Sequence, residues 1–252
     1  PKSSVFFDTA APSNTTASNF INSGAATTNL TNVTLTISAT DNIGVTGYYV
    51  AETSIIPAAG TAGWVSVTPV TSYSANVSFT LSSGDGPKTL YVRFKDAAGN
   101  VSSSKSDTIT LDTTAPSNPT TISGYSSSSK TAALTSGNWQ NFATPYFEWN
   151  GASDSSSGVA GYYVYSGVDA TADPAISGTY QTSANYTVST SLTSGSIYYL
   201  LIKTRDNAGN IASSTYTAVT YQYDSSGPTN TTGSNFINSG AASTNSTNVT
   251  LT

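Results

Sequence analysis

Aspartate recurs at fixed places along this chain. An Asp stands four residues before a Pro three times, as Asp8/Pro12, Asp112/Pro116 and Asp224/Pro228. Asp41 and Asp154 each close a segment of alternating apolar residues. Asp96 and Asp206 each open a nearly identical corner, Lys95-Asp96-Ala97-Ala98-Gly99-Asn100 and Arg205-Asp206-Asn207-Ala208-Gly209-Asn210. Three carboxylates aimed at one point repel unless a cation sits between them, and Ca²⁺ accepts flexible oxygen sites at about 2.3–2.6 Å. The chemistry open to these residues is therefore divalent-cation binding. The plainer alternative is that Asp caps turns and that Asp-x-x-x-Pro punctuates a linker.

Catalysis is hard to build from the remaining residues. The chain has no His and no Cys, so the usual general base and the most reactive nucleophile are both missing. Among thirteen carboxylates only Glu52 and Glu148 are Glu, and both read as outward-facing charges on or beside strands. A carboxylate pair can hydrolyse a glycoside, but spacing brings no acidic groups together beyond the recurring Asp residues. No enzyme is expected. A net charge of -5 and eight Lys and Arg residues without a cluster argue against nucleic acid as a partner. No apolar run reaches the roughly 20 residues needed to cross a bilayer, so no membrane insertion is expected within this segment. Without cysteine there are no disulfides and no thiolate metal sites.

The elements that would position the Asp residues form a repeat. Pro228–Thr252 matches Pro12–Thr36 at 21 of 25 positions, and self-similarity of this kind moves function from one pocket to an array. Apolar and polar residues alternate with period two between turn signals, which marks strands. Val33, Leu35 and Ile37 point one way while Thr34, Thr36 and Ser38 point the other. Val45–Ala51, Val65–Val67, Val77–Leu81, Leu90–Phe94 and a last strand with Ile109 and Leu111 follow. Gly161-Tyr162-Tyr163-Val164 echoes Gly47-Tyr48-Tyr49-Val50, and Tyr146–Trp149 takes the place of the second strand. The expected division is residues 1–9 as the last strand of a preceding repeat, 10–112 and 113–224 as two domains, and 225–252 as the first strands of a following repeat. Ser and Thr make up about a third of the chain, yet the regular aromatics separate it from disordered sequences.

The run Leu192-Thr193-Ser194-Gly195-Ser196-Ile197-Tyr198, followed by Leu200, Ile202 and Asp206–Asn210, resembles a fibronectin type III domain. The first repeat, with Gly84-Asp85-Gly86-Pro87-Lys88-Thr89-Leu90-Tyr91 and the Asp112–Pro116 junction, is closer to the bacterial Ig-like repeats of large surface proteins. The resemblance implies an all-β chain of tandem antiparallel β-sandwiches, about seven strands each, at the surface of a bacterial or archaeal cell or outside it. It also implies that the Tyr198 hydroxyl bonds upstream backbone. In an Ig-type sandwich the start of the first strand and the loops after the second and sixth strands share one pole. Asp8 should then meet Asp41 and Asp96, and Asp112 should meet Asp154 and Asp206, as interdomain calcium sites.

Two functions follow as expectations. One is a non-catalytic stalk, fibre, filament or surface-layer segment whose partners are neighbouring repeats and other copies in a fibre. The other is an adhesin or carbohydrate-binding module, or an accessory to an enzyme elsewhere in the chain, with glycans as partners. For the latter, Trp139 in the Ser136–Asn141 loop is the candidate ring on which a sugar stacks, whereas most other aromatics read as packing.

Overall fold

The computed structural model describes residues 7–229. Residues 1–6 of the strand expected at 1–9, and residues 230–252 of the following repeat expected at 225–252, lie outside the described residues.

The first unit contains β1 (Ser13–Asn14), β2 (Thr27–Thr28), β3 (Asn32–Ala51), β4 (Val65–Thr80), β5 (Gly86–Asp96) and β6 (Lys105–Leu111). Alternation in β3 buries Val33, Leu35 and Ile37 and exposes Thr34 and Thr36, as the pleat of a half-buried strand requires. The segments expected as separate strands at Val33–Ile37 and Val45–Ala51 are one continuous strand. It changes layers at a register shift between Thr40 and Val45, where Gly44 takes φ +155°, a conformation that L side chains adopt only under strain. β4 makes the same crossing beside it: Ser72–Thr80 pairs with Asn32–Thr40, and Val65–Val70 pairs with Val45–Tyr48. One layer holds β1, the first half of β3 and the second half of β4. The other holds the remaining halves with β5, β6 and β2, the last parallel to β6. Between them lies a core with Phe20, Leu35, Ile37, Leu90, Phe94 and Ile109, each no more than 1% exposed. Burial of each such side chain contributes about 1.5–3 kcal/mol.

The second unit repeats this plan with separate strands: β7 (Thr121–Tyr125), β8 (Ala133–Leu134), β9 (Trp139–Gln140), β10 (Tyr146–Asn150), β11 (Val159–Gly167), β12 (Thr179–Gln181), β13 (Asn185–Thr187), β14 (Ser196–Asp206) and β15 (Tyr216–Tyr223). One sheet runs β13-β10-β7-β8 and the other β12-β11-β14-β15-β9. Phe147, Trp149, Val164, Leu200, Ile202 and Tyr221 are buried between them. Gly161 pairs with Arg205 as Gly47 pairs with Lys95. A Cβ at Gly161 would lie 2.4 Å from the carbonyl oxygen of Gln181, so no larger residue fits. A single helical turn, α1 (Pro174–Ser177), interrupts the strands. Asp173 caps it through Ala175 N and pairs with Lys203 at 2.8 Å; one turn is too short to leave a helical period in the sequence. The Tyr198 hydroxyl accepts the Thr193 N–H at 2.8 Å, the upstream backbone bond expected of it.

Tyr221 supplies a pH prediction. Burial pushes its phenol from the ordinary 10 up to about 12, while the hydroxyl donates to the Phe142 carbonyl. The neutral form is favoured in the folded state, so its contribution is intact below pH 10 and is lost as pH rises from 10 through 12. Tyrosinate absorbance on alkaline titration should show late ionisation coincident with unfolding, and Tyr221→Phe should diminish it, leaving the share of Tyr73 and Tyr162, which burial also raises.

Candidate metal centres at the unit poles

Each pole is built by three chain segments whose geometry follows from short turns. After the first-layer strand, Asp41 folds back on its own turn: Oδ1 accepts Ile43 N at 3.0 Å and Gly44 N at 2.6 Å. Asp154 does the same with Ser156, Ser157 and Gly158 N–H groups at 3.1, 2.9 and 2.8 Å. After the long hairpin strand, Asp96 Oδ1 accepts Asn100 N at 2.9 Å, and Asp206 Oδ1 accepts Gly209 N at 2.7 Å and Asn210 N at 2.8 Å. The linker supplies the third carboxylate. Asp8 Oδ1 accepts Ala10 N at 3.1 Å, and Asp112 Oδ1 accepts Thr114 N at 3.1 Å.

These turns bring the sequence-expected residues together as two triads. Asp8, Asp41 and Asp96 each offer a carboxylate oxygen within 4.8 Å of the others, and so do Asp112, Asp154 and Asp206. Asp112 is 0% and Asp206 1% exposed, Asp96 3% and Asp41 8%. Neither of the two ion pairs among the described residues involves these six side chains. Oδ2 of Asp41 is buried and has no hydrogen-bond partner. Burying an unpaired carboxylate oxygen among like charges is costly, so the backbone turns alone leave this group unsatisfied.

Two asparagines complete the poles, and their roles were not read from the sequence although the repeated corner contains them. The Asn100 side-chain amide donates to the Asp8 carbonyl at 3.1 Å and to Asp96 Oδ2 at 2.7 Å. Asn210 donates to the Asp112 carbonyl and to Asp206 Oδ2, both at 2.8 Å. The linker is thereby tied to the corner in both units. At the second pole Asp112 Oδ2 also accepts Ser157 N at 3.0 Å, and Thr27 Oγ1 of the first unit donates to the Asn207 carbonyl at 2.9 Å. Asp224, the third linker carboxylate, accepts Ser194 Oγ at 2.7 Å, a bond that holds its carboxyl below the usual range.

The other candidates are placed as follows. Glu148 pairs with Lys130, whose ammonium holds its carboxyl below the usual range, and Glu52 accepts Ser82 N and Oγ. Trp149 is core, and Trp64 packs against Tyr49 under Lys95. Trp139, expected in a loop, lies in β9, paired parallel to β15 at the far end of the second unit. It is 54% exposed.

No protein-family model matches the chain. Over 130 residues it is 35% identical to exoglucanase B of Cellulomonas fimi, matching 48% of this chain and 10% of that protein. Over 216 residues it is 30% identical to chitinase A1 of Niallia circulans, matching 81% of this chain and 25% of that protein. The chain thus spans between a tenth and a quarter of the length of these relatives. Against the fibronectin(III)-like modules of Clostridium thermocellum CbhA the TM-score is 0.38 at 13% identity, covering 81% of this chain and 93% of that one. A score at that level leaves the fold assignment to the strand order itself. The paired sheets, the tyrosine corner and the repeated junctions define the class as antiparallel β-sandwich repeats. Within it, the described residues form a tandem pair of sandwiches, the second with the tyrosine corner that its resemblance to fibronectin type III domains implies.

Proposed function

We propose that this chain is a non-catalytic, extracellular spacer of a bacterial or archaeal protein, two independently folded sandwiches whose joint is stiffened by a divalent cation, calcium by the chemistry of its donors. The observation that carries this reading is the duplicated carboxylate triad at the poles, with one member always drawn from the linker. Asp8 and Asp112 precede their sandwiches, so a cation bound through them ties the linker to two loops of the domain that follows. Oxygen-only donors on flexible turns suit Ca²⁺, and extracellular sites of this kind bind with Kd on the order of 10⁻⁴ to 10⁻³ M. Resemblance to segments of an exoglucanase and a chitinase supports a place beside catalytic domains in a longer chain, where a spacer of fixed length separates modules.

Small-angle X-ray scattering on the full chain tests it. In millimolar calcium the profile should be that of an extended rod; after chelation the maximum dimension should become broadly distributed as the joint loosens. Identical scattering with and without calcium ends the reading.

A further inference from the structure

A cation beside the long hairpin strand has a carboxylate partner in the second unit and none in the first. Tyr163 pairs with Lys203 and Gly161 with Arg205, as Tyr49 pairs with Arg93 and Gly47 with Lys95, so Arg93 and Lys203 hold equivalent places. Both lie one residue from the core position Phe94 or Ile202, on the sheet face turned away from the core. In the second unit the loop between β11 and β12 carries Asp173-Pro174-Ala175, and Lys203 Nζ meets Asp173 Oδ2 at 2.8 Å. In the first, the loop between β3 and β4 carries Ile56-Pro57-Ala58. Pro57 and Pro174 are both buried, and Lys95 stands over Trp64 as Arg205 stands over Tyr180, at 5.1 and 5.5 Å from the ring centroids. Ile56, 69% exposed, therefore stands where the second unit has its carboxylate.

Arg93 is nevertheless only 5% exposed. Its Nη2 donates to the Ser54 carbonyl at 2.9 Å, while its Nε is buried and has no hydrogen-bond partner. Neither of the two ion pairs among the described residues includes it. Lys95 adds a second positive charge two residues on, and its Nζ donates to the Ala59 carbonyl at 2.9 Å. Loop carbonyls thus accept hydrogen bonds from both cations and neutralise neither. A guanidinium carries five N–H donors and a full charge, and burying it without an anion is costly. Its planar fork is also the side-chain group best matched to an oxyanion.

We infer that Arg93 binds a small anion under the loop between β3 and β4, a chloride ion or the carboxylate of a small acid, which accepts the Nε–H and supplies the negative charge that Asp173 supplies to Lys203. Since Nε is enclosed, the anion enters as the loop lifts and is held as it closes. A small anion fits such a site and a bulky one does not. None of the residues involved belongs to the carboxylate triads, so the site works without calcium. It makes the first unit responsive to the anions around it, whereas the second unit carries its counter-ion in its own sequence.

The experiment is calorimetry of the full chain in chelator, at constant ionic strength, as sodium chloride or sodium acetate replaces the bulky sulfonate salt of the buffer. The melting temperature of the parent should rise and level off, by about 5 °C once the anion is roughly tenfold above its Kd. Ile56→Asp places a carboxylate where the second unit has one. It should melt above the parent in sulfonate and gain nothing further from chloride or acetate. Arg93→Gln should likewise gain nothing. A rise with chloride alone identifies an inorganic ion as the ligand, and a rise with acetate alone identifies a carboxylate. The inference is overturned by a parent that melts at one temperature in all three salts. It is equally overturned if Ile56→Asp or Arg93→Gln gains as much as the parent, because the rise is then a general effect of salt. Chelator empties the calcium sites, so this outcome and that of the scattering experiment stand or fall separately.

Discussion

Asp112→Ala should remove one of the two calcium-binding events that the proposed sites predict. Isothermal titration of the parent should show two sites, one at Asp8, Asp41 and Asp96 and one at Asp112, Asp154 and Asp206. Asp112→Ala leaves the first, Asp41→Asn leaves the second, and the double variant shows no calcium-dependent heat. The stability consequence follows from linkage. At calcium about a hundredfold above Kd the folded state gains about 2.7 kcal/mol, which for a unit of this size raises its melting temperature by roughly 10 °C or more. The parent should show that gain in the second unit and Asp112→Ala should not. Asp112 also accepts Thr114 N and Ser157 N, so the alanine variant carries a further cost of about 1–3 kcal/mol in chelator. Asp112→Asn separates the two effects. It retains an acceptor and removes the charge, so in chelator it relieves repulsion within the triad and should equal or exceed the parent in stability. In calcium it should fall below the parent. This reversal of order between the two conditions is what turn capping alone would not produce, and an unchanged order sinks the cation reading.

Much of this geometry can be read from residues, and the failures have physical causes. Val33, Leu35 and Ile37 against Thr34 and Thr36 mark a half-buried strand because one face must meet the core. The alternation stops at Asp41 and resumes at Val45, which reads as two strands; that β3 instead passes unbroken from one layer to the other at Gly44 is decided by where β4 pairs. The triads were legible because the Asp-x-x-Gly-Asn corner and the linker Asp recur together, and topology brings recurring positions to one pole. The amides of Asn100 and Asn210 were not, since their partners are linker carbonyls, and every residue has a carbonyl. Trp139 looked like a loop residue because a two-residue parallel pairing has no period to detect. Thr27 holds the equivalent place in the first unit, paired two residues before the linker Asp, and residue type alone does not match a threonine to a tryptophan.

Phe94→Ala should unfold the first unit and spare the second. Phe94 is fully buried, packs edge-on against Tyr73 at 6.0 Å between ring centroids, and belongs to the core that joins Phe20, Leu35, Ile37, Leu90 and Ile109. Replacing a buried Phe by Ala costs about 3–5 kcal/mol through lost transfer energy and the cavity left behind. That is a large share of the 5–15 kcal/mol that holds a typical domain folded. The core of the second unit, around Phe147, Leu200 and Ile202, shares no residue with the first. If the two sandwiches are separate cooperative units, calorimetry in chelator should resolve two transitions, and Phe94→Ala should lower one by tens of degrees while leaving the other in place. The reciprocal variant, Ile202→Ala, should shift the opposite transition. In calcium the two should draw closer, because the buried Asp112 and the Thr27 to Asn207 bond make the joint part of both units. A single transition that moves as a whole with either variant would mean one merged cooperative unit, and the spacer built from independent beads would have to be abandoned.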